Sequence, residues 1–307
     1  MPIRTSIAPT WLRLIRFVAL EDHQEYLGEP VDENIDVGVA QATGLAVLAH
    51  VLNTLVSWDP EARRTGEIRT VFSLLAPVTP EQCPIIRAVG LSYKDHAMEM
   101  GLPFPKVPAL FYKPSTCLAH PSERIPVPVV CQRQEMDYEV ELVIVIGKRC
   151  KDVTEGQALD YVLGWTVAND LTARKHQTES SQWGYAKGFD KFCPLGPCLV
   201  SIRQIPNPHT LALQTTLNGE VVQSGSARKM IFPLARVISY LSQGTTLNAG
   251  AIILTGTPPG IGDGRTPKIW LKDGDEVRCW ISGGIGTLVN TIEYENKGVI
   301  REEEAWN

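Results

Sequence analysis

The chain has 307 residues, of which 44% are hydrophobic and 21% are charged, and its formal net charge at pH 7 is −5. This composition is that of an ordinary folded protein, and the length predicts one large domain together with a small one. It excludes a mainly disordered chain. The modest charge and the lack of a basic stretch argue against nucleic acid as a partner.

No stretch of the sequence is apolar for long enough to predict a transmembrane helix. The apolar residues near the start are interrupted by Arg13 and Arg16, and no small-residue cleavage site follows. We therefore expect a first β-strand there and not a secretory signal. The last residues, Glu304 to Asn307, match no peroxisomal or retention signal. The default expectation is a cytoplasmic protein.

Seven cysteines are present, and no two of them form a Cys-x-x-Cys pair. An odd number without such a pair predicts reduced thiols in a reducing compartment. Cys193 and Cys198 enclose Pro194 and Pro197, which fix the backbone between them, and no histidine cluster accompanies them. We expect a structural role for these two cysteines and no zinc site.

Residues 1–75 alternate short apolar runs with turn residues, which predicts a small N-terminal α+β domain with one helix around Leu45 to Leu55. Prolines at 77, 80 and 84 then predict a connection to a larger domain over residues 76–307. Apolar and alternating runs in that domain predict strands at 85–91, 109–112, 138–146, 163–169, 211–217, 221–223, 251–255, 276–281 and 286–294.

Two local signals in the larger domain are specific. Asn218-Gly219 between two strand patterns predicts a type I′ hairpin, because both residues tolerate a positive φ. Pro233 followed by apolar residues at helical spacing, with Gly244 beyond them, predicts a core-packed helix over 233–241. Strands dominate and no βαβ unit repeats, so we expect a mixed, strand-rich α/β fold of the sheet-on-sheet or rolled kind, and not a parallel doubly wound one.

Glu139 and Glu141 are two residues apart in an apolar run, so on a strand both carboxylates project from the same face. Taken alone, such a pair is most often a solvated strand face. Here Leu142 to Ile146 has the pattern of a strand buried on both faces, where an unpaired carboxylate costs roughly several kcal/mol. A bound divalent cation is the simplest way to neutralise the pair.

Asp170 follows the apolar run that ends at Ala168 and is the natural third ligand, although an Asn169-Asp170 pair equally caps a turn. Ligation by oxygen alone favours Mg²⁺ or Mn²⁺ over zinc. Arg174 and Gln177 come four and seven residues after Asp170, which on a helix places all three on one face. There an arginine can bind a carboxylate and a glutamine can donate to an oxyanion.

His96 and Glu99 lie three residues apart, so on a helix the carboxylate can orient the imidazole and stabilise its protonated form. An ordinary surface pair has the same spacing. The flanking Gly90 and Gly101 are compatible with a mobile lid and equally with a static loop. Lys187, taken alone, has the pattern of a surface lysine.

The segment from Thr255 to Gly262 leaves a strand and turns sharply. Thr255, Thr257 and the backbone N–H groups there can hold a substrate carboxylate, and a tight turn without a ligand has the same pattern. The glycines do not follow the spacing of a dinucleotide-binding loop and no helix pattern comes next, which excludes such a site.

These segments and their neighbours occur in order along the chain: Tyr93-Lys94-Asp95-His96-Ala97-Met98-Glu99-Met100, Phe111-Tyr112-Lys113-Pro114, Asp137-Tyr138-Glu139-Val140-Glu141-Leu142, Asn169-Asp170-Leu171-Thr172-Ala173-Arg174, Lys187-Gly188-Phe189-Asp190, Pro194-Leu195-Gly196-Pro197 and Thr255-Gly256-Thr257-Pro258. Together they closely resemble the fumarylacetoacetate hydrolase family over about residues 85–294. The N-terminal segment resembles the small extra domain that many members carry.

The resemblance implies a mixed β-sandwich roll, usually dimeric, with Mg²⁺ or Mn²⁺ held by Glu139, Glu141 and Asp170. It also implies roles for further side chains: activation of water by His96 with Glu99, polarisation of an oxyanion by Lys187, oxyanion binding by Arg174 and Gln177, and binding of the substrate carboxylate by Thr257. Ala251 and Lys175 depart from the family, which usually has acidic residues at both positions. Neither is a predicted metal ligand, so we expect the chemistry to be retained and any difference from the family to lie in turn geometry and substrate preference.

The leading hypothesis is therefore a hydrolase that cleaves a C–C bond in a β-diketone or acylpyruvate-type oxo acid. The oxo-acid oxygens would chelate the metal, His96 would deprotonate water, Lys187 would stabilise the oxyanion, and cleavage would leave an enolate on the metal. Decarboxylation of oxaloacetate and isomerisation of an unsaturated oxo acid use the same core, so the sequence leaves them open. A non-catalytic metal-dependent binding protein is a further alternative, against which the dyad and the lysine argue.

Overall fold

The computed structural model describes residues 9–83 and 85–295. Pro84 and residues 304–307, discussed above, lie outside the described residues. The helices are α1 (Val37–Thr43), α2 (Lys94–Glu99), α3 (Glu155–Ala158), α4 (Arg174–Glu179), α5 (Gly184–Lys187) and α6 (Leu234–Ser242). The strands are β1 (Arg13–Ala19), β2 (Glu25–Pro30), β3 (Leu48–Leu52), β4 (Arg64–Leu75), β5 (Ile85–Gly90), β6 (Ala109–Pro114), β7 (Leu118–Ala119), β8 (Arg124–Val127), β9 (Met136–Asp137), β10 (Val140–Ile146), β11 (Val162–Asn169), β12 (Thr172–Ala173), β13 (Cys193–Ser201), β14 (Ala212–Leu217), β15 (Glu220–Ser226), β16 (Ile252–Leu254), β17 (Glu276–Ile281) and β18 (Gly286–Tyr294).

Two packed sheets form the body of the protein. The larger has eleven strands in the order β2-β3-β4-β1-β13-β11-β10-β16-β5-β6, with β7 paired to β13. The smaller has five strands in the order β15-β14-β17-β18-β8, and its β14, β17 and β18 contact β10, β11 and β13. Both sheets mix parallel and antiparallel pairs. The predicted mixed, strand-rich, sheet-on-sheet fold is confirmed.

Strand β10 lies at the centre of the core, and all seven of its residues are buried. Leu142 and Ile144 belong to one hydrophobic cluster, whereas Val143 and Val145 belong to another. Because side chains alternate between the two faces of a strand, β10 is covered on both sides. Glu141 projects on the same face as Val143 and Val145, so its carboxylate enters a buried layer.

The N-terminal strands continue the large sheet. Arg13 and Leu14 of β1 pair with Val200 and Leu199 of β13, whereas the rest of β1 pairs with β2 and β4. The two parts of the chain on either side of residue 75 therefore share backbone hydrogen bonds. The division into domains at that residue stays a prediction.

The helix predicted around Leu45 to Leu55 is wrong, because residues 48–52 form β3 between β2 and β4. Ala49 and Val51 point into the core with the alternation of a strand, and pairing on both sides outweighs helix propensity. The helix of this region comes earlier, in α1. It begins after Asp36, whose side chain accepts hydrogen bonds from two backbone N–H groups, and ends at Gly44 with φ 74°.

Strand β13 was not predicted, because Pro194 and Pro197 argue against a central strand. Its register with β11 shifts between Trp165 and Val167, so Pro197 lies at an irregularity where the ladder does not require its missing N–H. The predicted hairpin is confirmed, with φ 49° at Asn218 and 87° at Gly219. The helix predicted at 233–241 is confirmed as α6.

All seven cysteines are buried free thiols. Within residues 9–83 and 85–295, no helix is long and apolar enough to cross a membrane.

Gly38 tests how closely α1 packs on β18. A Cβ atom there would lie 1.7 Å from the carbonyl oxygen of Thr287, so Gly38→Ala must push the helix away from the strand. We expect it to lower the free energy of unfolding by about 1–3 kcal/mol, measured by urea denaturation. Gly156 of α3 has open space around its Cβ position, so Gly156→Ala is the matched control and should be neutral or stabilising. Equal losses in the two variants would contradict this packing.

Candidate metal and catalytic site

Three buried carboxylates, those of Glu139, Glu141 and Asp170, meet at one end of β10 and β11. One oxygen atom of each lies within 4.8 Å of the other two. The antiparallel register explains this, because the pairing of Val140 with Asn169 places Glu139 and Asp170 just outside that pair and Glu141 one residue inside it, at the same edge. The N–H of Asp170 donates to the carbonyl oxygen of Glu139 at 2.9 Å. The structure therefore brings the three predicted ligands together.

Lys187 is buried against these carboxylates and is not a surface lysine, since only 2% of the residue is exposed. Its Nζ donates to Glu139 Oε2 at 3.1 Å, to Asp170 Oδ2 at 2.7 Å and to Thr172 Oγ1 at 2.8 Å. An ammonium group has three protons, and here all three have acceptors. Any hydrogen bond from Lys187 to a substrate oxygen must replace one of these contacts.

Lys113 is a second buried lysine, and the sequence analysis gave it no role. Its Nζ pairs with Asp170 Oδ1 and donates to the carbonyl oxygen of Phe192 at 2.6 Å. Lys113 lies on β6, where it alternates with the exposed Tyr112. A lysine in such a strand usually faces solvent. The alternation of side chains shows that a strand has two faces, but the sequence pattern does not show which face is buried. The pairing of β6 with β5 decides that.

Arg174 holds the other side of Glu139. Its Nη2 lies 2.7 Å from Glu139 Oε1, its Nε donates to Asp137 Oδ2 at 2.8 Å, and its Nη1 donates to Gln177 Oε1 at 2.9 Å. The expectation that Asp170, Arg174 and Gln177 share one helix face is wrong, because α4 begins at Arg174 and β12 separates it from Asp170. Arg174 reaches the site through Glu139 instead, and Gln177 reaches it through Arg174.

His96 and Glu99 form the predicted pair on α2, and only 8% of His96 is exposed. His96 Nδ1 lies 3.0 Å from Glu99 Oε2, while Glu99 Oε1 accepts a hydrogen bond from the N–H of Gly260 at 2.8 Å. The pair is thus fastened to the loop after β16 and is not a freely solvated surface pair. With Nδ1 directed at Glu99, Nε2 is the nitrogen available to take a proton.

Thr257 lies in the same loop, and 3% of it is exposed. Its hydroxyl donates to the carbonyl oxygen of Val140 at 2.9 Å and accepts from Gln223 Nε2 at 2.8 Å. Gln223 Oε1 also accepts from the N–H of Val140 at 3.0 Å. These contacts fasten the loop to β10. Gln223 was missed because its hairpin strand reaches the site only through sheet packing, and the binding of a carboxylate by Thr257 stays a prediction.

The two glutamates differ sharply in their electrostatics. Burial alone would raise the pKa of Glu139, but the charges of Lys187 and Arg174, with a smaller effect from His96, lower it to about 2. Burial raises the pKa of Glu141 well above its ordinary value, and the negative charges of Asp170 and Glu139 raise it further. Glu141 accepts a hydrogen bond from the N–H of Gly256 at 2.6 Å. In the described part of the chain it has no ion-pair partner.

The family model described as "Fumarylacetoacetate (FAA) hydrolase C-terminal" matches residues 85–293, a range that contains all of the side chains above. The chain belongs to the fumarylacetoacetate hydrolase family. The resemblance drawn from the sequence motifs is therefore confirmed.

Several named relatives of the family are similar to this chain. A caffeoylpyruvate hydrolase of Neonothopanus nambi is 45% identical over 293 residues, which are 94% of this chain and 96% of that protein. A mitochondrial oxaloacetate tautomerase of Xenopus laevis is 43% identical over 227 residues, which are 73% of this chain and 69% of that protein. Because these relatives are enzymes, this member of the fumarylacetoacetate hydrolase family is an enzyme too.

Solved structures of the family share the fold. A 2-hydroxyhepta-2,4-diene-1,7-dioate isomerase of Mycobacterium marinum has a TM-score of 0.76 and 32% identity, covering 94% of this chain and all of that chain. A fumarylacetoacetate hydrolase of Exiguobacterium antarcticum has a TM-score of 0.75 and 31% identity, covering 93% of this chain and all of that chain. The predicted fold of the fumarylacetoacetate hydrolase family is confirmed.

A hard divalent cation fits the three carboxylates. They supply oxygen ligands only, which suits Mg²⁺ or Mn²⁺. The high pKa of Glu141 arises from burial and from repulsion by neighbouring carboxylates, and a cation among them would relieve that repulsion. The buried acidic triad is thus a chemically suitable metal site for a member of this family.

Glutamine variants of the two glutamates should change stability in opposite directions at pH 7 in EDTA. The folded-state pKa of Glu141 is raised, so its contribution is present below the unfolded value near 4.5 and is lost as the pH rises above it. Removing this carboxylate with Glu141→Gln should raise Tm. The folded-state pKa of Glu139 is about 2, so its contribution is present above pH 4.5 and is lost as the pH falls towards 2. Glu139→Gln should therefore lower Tm.

Differential scanning calorimetry at pH 7 checks both signs. Added Mg²⁺ should raise Tm of the wild-type protein and should have a much smaller effect on either variant. A decrease in Tm of similar size for Glu141→Gln and Glu139→Gln would show that the two carboxylates are not distinguished in this way.

Proposed function

We propose that this enzyme is a divalent-metal-dependent hydrolase that cleaves the C–C bond of an acylpyruvate. The observation that carries the proposal is the buried His96–Glu99 pair, which a hydrogen bond from the N–H of Gly260 to Glu99 fastens to the loop beside the carboxylate cluster. Hydrolysis needs a base to activate water, whereas decarboxylation forms an enolate by loss of CO₂ and needs none. The hydrolase from Neonothopanus nambi, which matches over nearly the full length of both chains, supports the same choice.

The carboxylate cluster would bind the oxo-acid end of the substrate. A cation held by Glu139, Glu141 and Asp170 would supply Lewis-acid chemistry and a template for the two oxygens of that end. Lys187 and Arg174 keep Glu139 ionised, and Lys113 pairs with Asp170. These contacts set the ligand geometry in advance, which is the arrangement that favours the transition state.

The His96–Glu99 pair would carry the proton transfers. His96 Nε2 takes a proton from water while Glu99 stabilises the imidazolium, and the hydroxide attacks the carbonyl carbon of the acyl group. Lys187 exchanges one of its three contacts for the resulting oxyanion. The C–C bond then breaks, its electron pair passes to the carbon of the departing pyruvate enolate, and the imidazolium returns the proton. One water and one acylpyruvate thus give a carboxylic acid and pyruvate.

Tautomerisation of oxaloacetate is the second candidate, because several relatives carry that name at 42–43% identity. It needs proton transfer between carbon and oxygen but no attack by water. Decarboxylation of oxaloacetate and isomerisation of an unsaturated oxo acid use the same cluster of carboxylates. A cytoplasmic location and a homodimer also belong to the proposal and rest on the sequence and on the family resemblance.

A substrate panel separates these reactions. The purified protein with Mg²⁺ is tested against acylpyruvates with small and aromatic acyl groups and against oxaloacetate. Hydrolysis is followed by loss of the β-diketone absorbance of the acylpyruvate, tautomerisation by loss of the enol absorbance of oxaloacetate, and decarboxylation by release of CO₂. We expect hydrolysis of at least one acylpyruvate to exceed both reactions of oxaloacetate. If no substrate is turned over but one raises Tm only when Mg²⁺ is present, the protein is a metal-dependent binding protein instead.

His96→Ala tests the assigned base. We expect kcat for acylpyruvate hydrolysis to fall by about 10²–10⁴-fold, the usual contribution of a general base. His176 offers a matched control, because its Nδ1 lies 2.9 Å from Glu179 Oε2 at the same spacing of three residues, on α4. His176→Ala should leave kcat within a factor of about three. A modest loss in His96→Ala, or an equal loss in His176→Ala, would remove His96 from this role.

A further inference from the structure

Asp137 is completely buried beside the site and takes no part in the proposed reaction. Its Oδ1 accepts hydrogen bonds from the N–H groups of Tyr138 at 2.8 Å and Gly262 at 2.7 Å. Its Oδ2 accepts from the N–H of Asp263 at 3.0 Å and from Nε of Arg174 at 2.8 Å. Both oxygens are therefore occupied by donors.

The chemistry of these partners admits only a carboxylate. All four groups around Asp137 donate, and a carboxylate accepts on both of its oxygens. An asparagine of the same shape would accept on one oxygen only, and its NH₂ group would face two further donors. The side chain at position 137 must therefore accept hydrogen bonds on both of its terminal atoms, a requirement that packing alone would not impose.

The four donors come from both halves of the site. Gly262 and Asp263 belong to the loop at residues 256–264, which also provides Gly256 N–H to Glu141 and Gly260 N–H to Glu99. The fourth donor is Nε of Arg174, whose Nη2 pairs with Glu139 Oε1. Asp137 therefore connects the metal-ligand side of the site to the side that carries the predicted base.

The guanidinium of Arg174 is divided between two carboxylates. Asp137 takes Nε, so that only one nitrogen, Nη2, pairs with Glu139. If Asp137 no longer held it, the guanidinium could turn and pair with both oxygens of Glu139, which is the preferred geometry of an isolated arginine–carboxylate pair. The second oxygen of Glu139 would then no longer be available to Lys187 or to a cation.

We propose that Asp137 is a positioning residue that holds Arg174 on one oxygen of Glu139 and fixes the loop at residues 256–264. It thereby keeps the other oxygen of Glu139 available for metal binding and keeps Gly260 in reach of Glu99. The inference rests on the proposed function for its kinetic readout, whereas its metal-binding readout is independent of any substrate.

Asp137→Asn is the direct test, with Mn²⁺ alone as the probe. We expect the Mn²⁺ affinity, measured by electron paramagnetic resonance of free Mn²⁺, to fall by about 10–100-fold, the usual effect of losing a residue that orients a metal ligand. With saturating Mn²⁺, kcat for an acylpyruvate should fall by a similar factor while KM changes less. Wild-type affinity in folded Asp137→Asn would overturn the proposal, as would a wild-type protein that binds no Mn²⁺.

Asp36→Asn is the matched control for a purely structural loss. The Asp36 carboxylate also meets only donors, the N–H groups of Gly38, Val39 and Thr287 and the hydroxyl of Thr287, but it joins α1 to β18. We expect Asp36→Asn to lower Tm without changing Mn²⁺ affinity. If it lowers the affinity as much as Asp137→Asn does, the effect is general destabilisation and the proposal fails.

A double-mutant cycle tests whether Asp137 acts through Arg174. In an Arg174→Met background, adding Asp137→Asn should leave the Mn²⁺ affinity within about twofold, because the group that it positions is already gone. Fully additive losses would overturn this route. If Asp137→Asn does not fold, Arg174→Lys replaces it, because a lysine keeps the charge but cannot divide a fork between two carboxylates. Because a single ammonium cannot occupy both oxygens of Glu139, Arg174→Lys should keep the Mn²⁺ affinity within about threefold of wild type. A loss of about 10-fold or more would overturn the proposal.

Failure of the proposed function would look different. A wild-type protein that hydrolyses no acylpyruvate, together with a loss of Mn²⁺ affinity in Asp137→Asn, would remove the hydrolase assignment and retain the positioning role. Hydrolysis by the wild type with unchanged Mn²⁺ affinity in Asp137→Asn would do the reverse.

Discussion

Buried charge is the constraint on which the rest of this structure depends. Four buried carboxylates, at Asp137, Glu139, Glu141 and Asp170, lie together with three buried cations, at Lys113, Arg174 and Lys187. An unpaired charge inside a protein costs roughly several kcal/mol, and six of these seven groups form ion pairs with one another, whereas Glu141 accepts a backbone hydrogen bond. The partners come from β6, α4, α5 and the loop edges of β10 and β11. The carboxylate cluster and the centre of the large sheet are therefore assembled together.

Glu139 and Glu141 look equivalent from their spacing in the sequence, but their hydrogen-bond and ion-pair partners differ. Glu139 has a cation on each oxygen, whereas Glu141 has a backbone N–H. One carboxylate is therefore ionised by the protein itself, and the charge on the other depends on what else is bound nearby. In this site Glu139 contributes to the stability of the fold, whereas Glu141 is suited to binding a ligand of positive charge. Carboxylates with such different pKa values are typical of functional sites.

Local pattern was sufficient for those parts of the fold whose conformation is decided within a few residues. The Asn218-Gly219 turn, α6 and the doubly buried β10 all follow from dihedral preference or periodicity, and all are present. It failed for β3, where pairing on two sides overrides a helical pattern, and for β13, where two prolines are tolerated at an irregular register. Both failures arise from contacts between segments that are far apart in the sequence.

The sequence by itself placed Glu139 with Glu141 and His96 with Glu99, because strand and helix periods put residues two or three apart on one face. Its ordered motifs indicated the family and, through it, Asp170 as the third carboxylate. Only the tertiary structure decided the partners of those groups: Lys113 on Asp170, Arg174 on Glu139, Asp137 on the loop and Gln223 on Thr257. Each of these contacts spans more than thirty residues, and its geometry depends on strand register and loop closure. No local period encodes either of them.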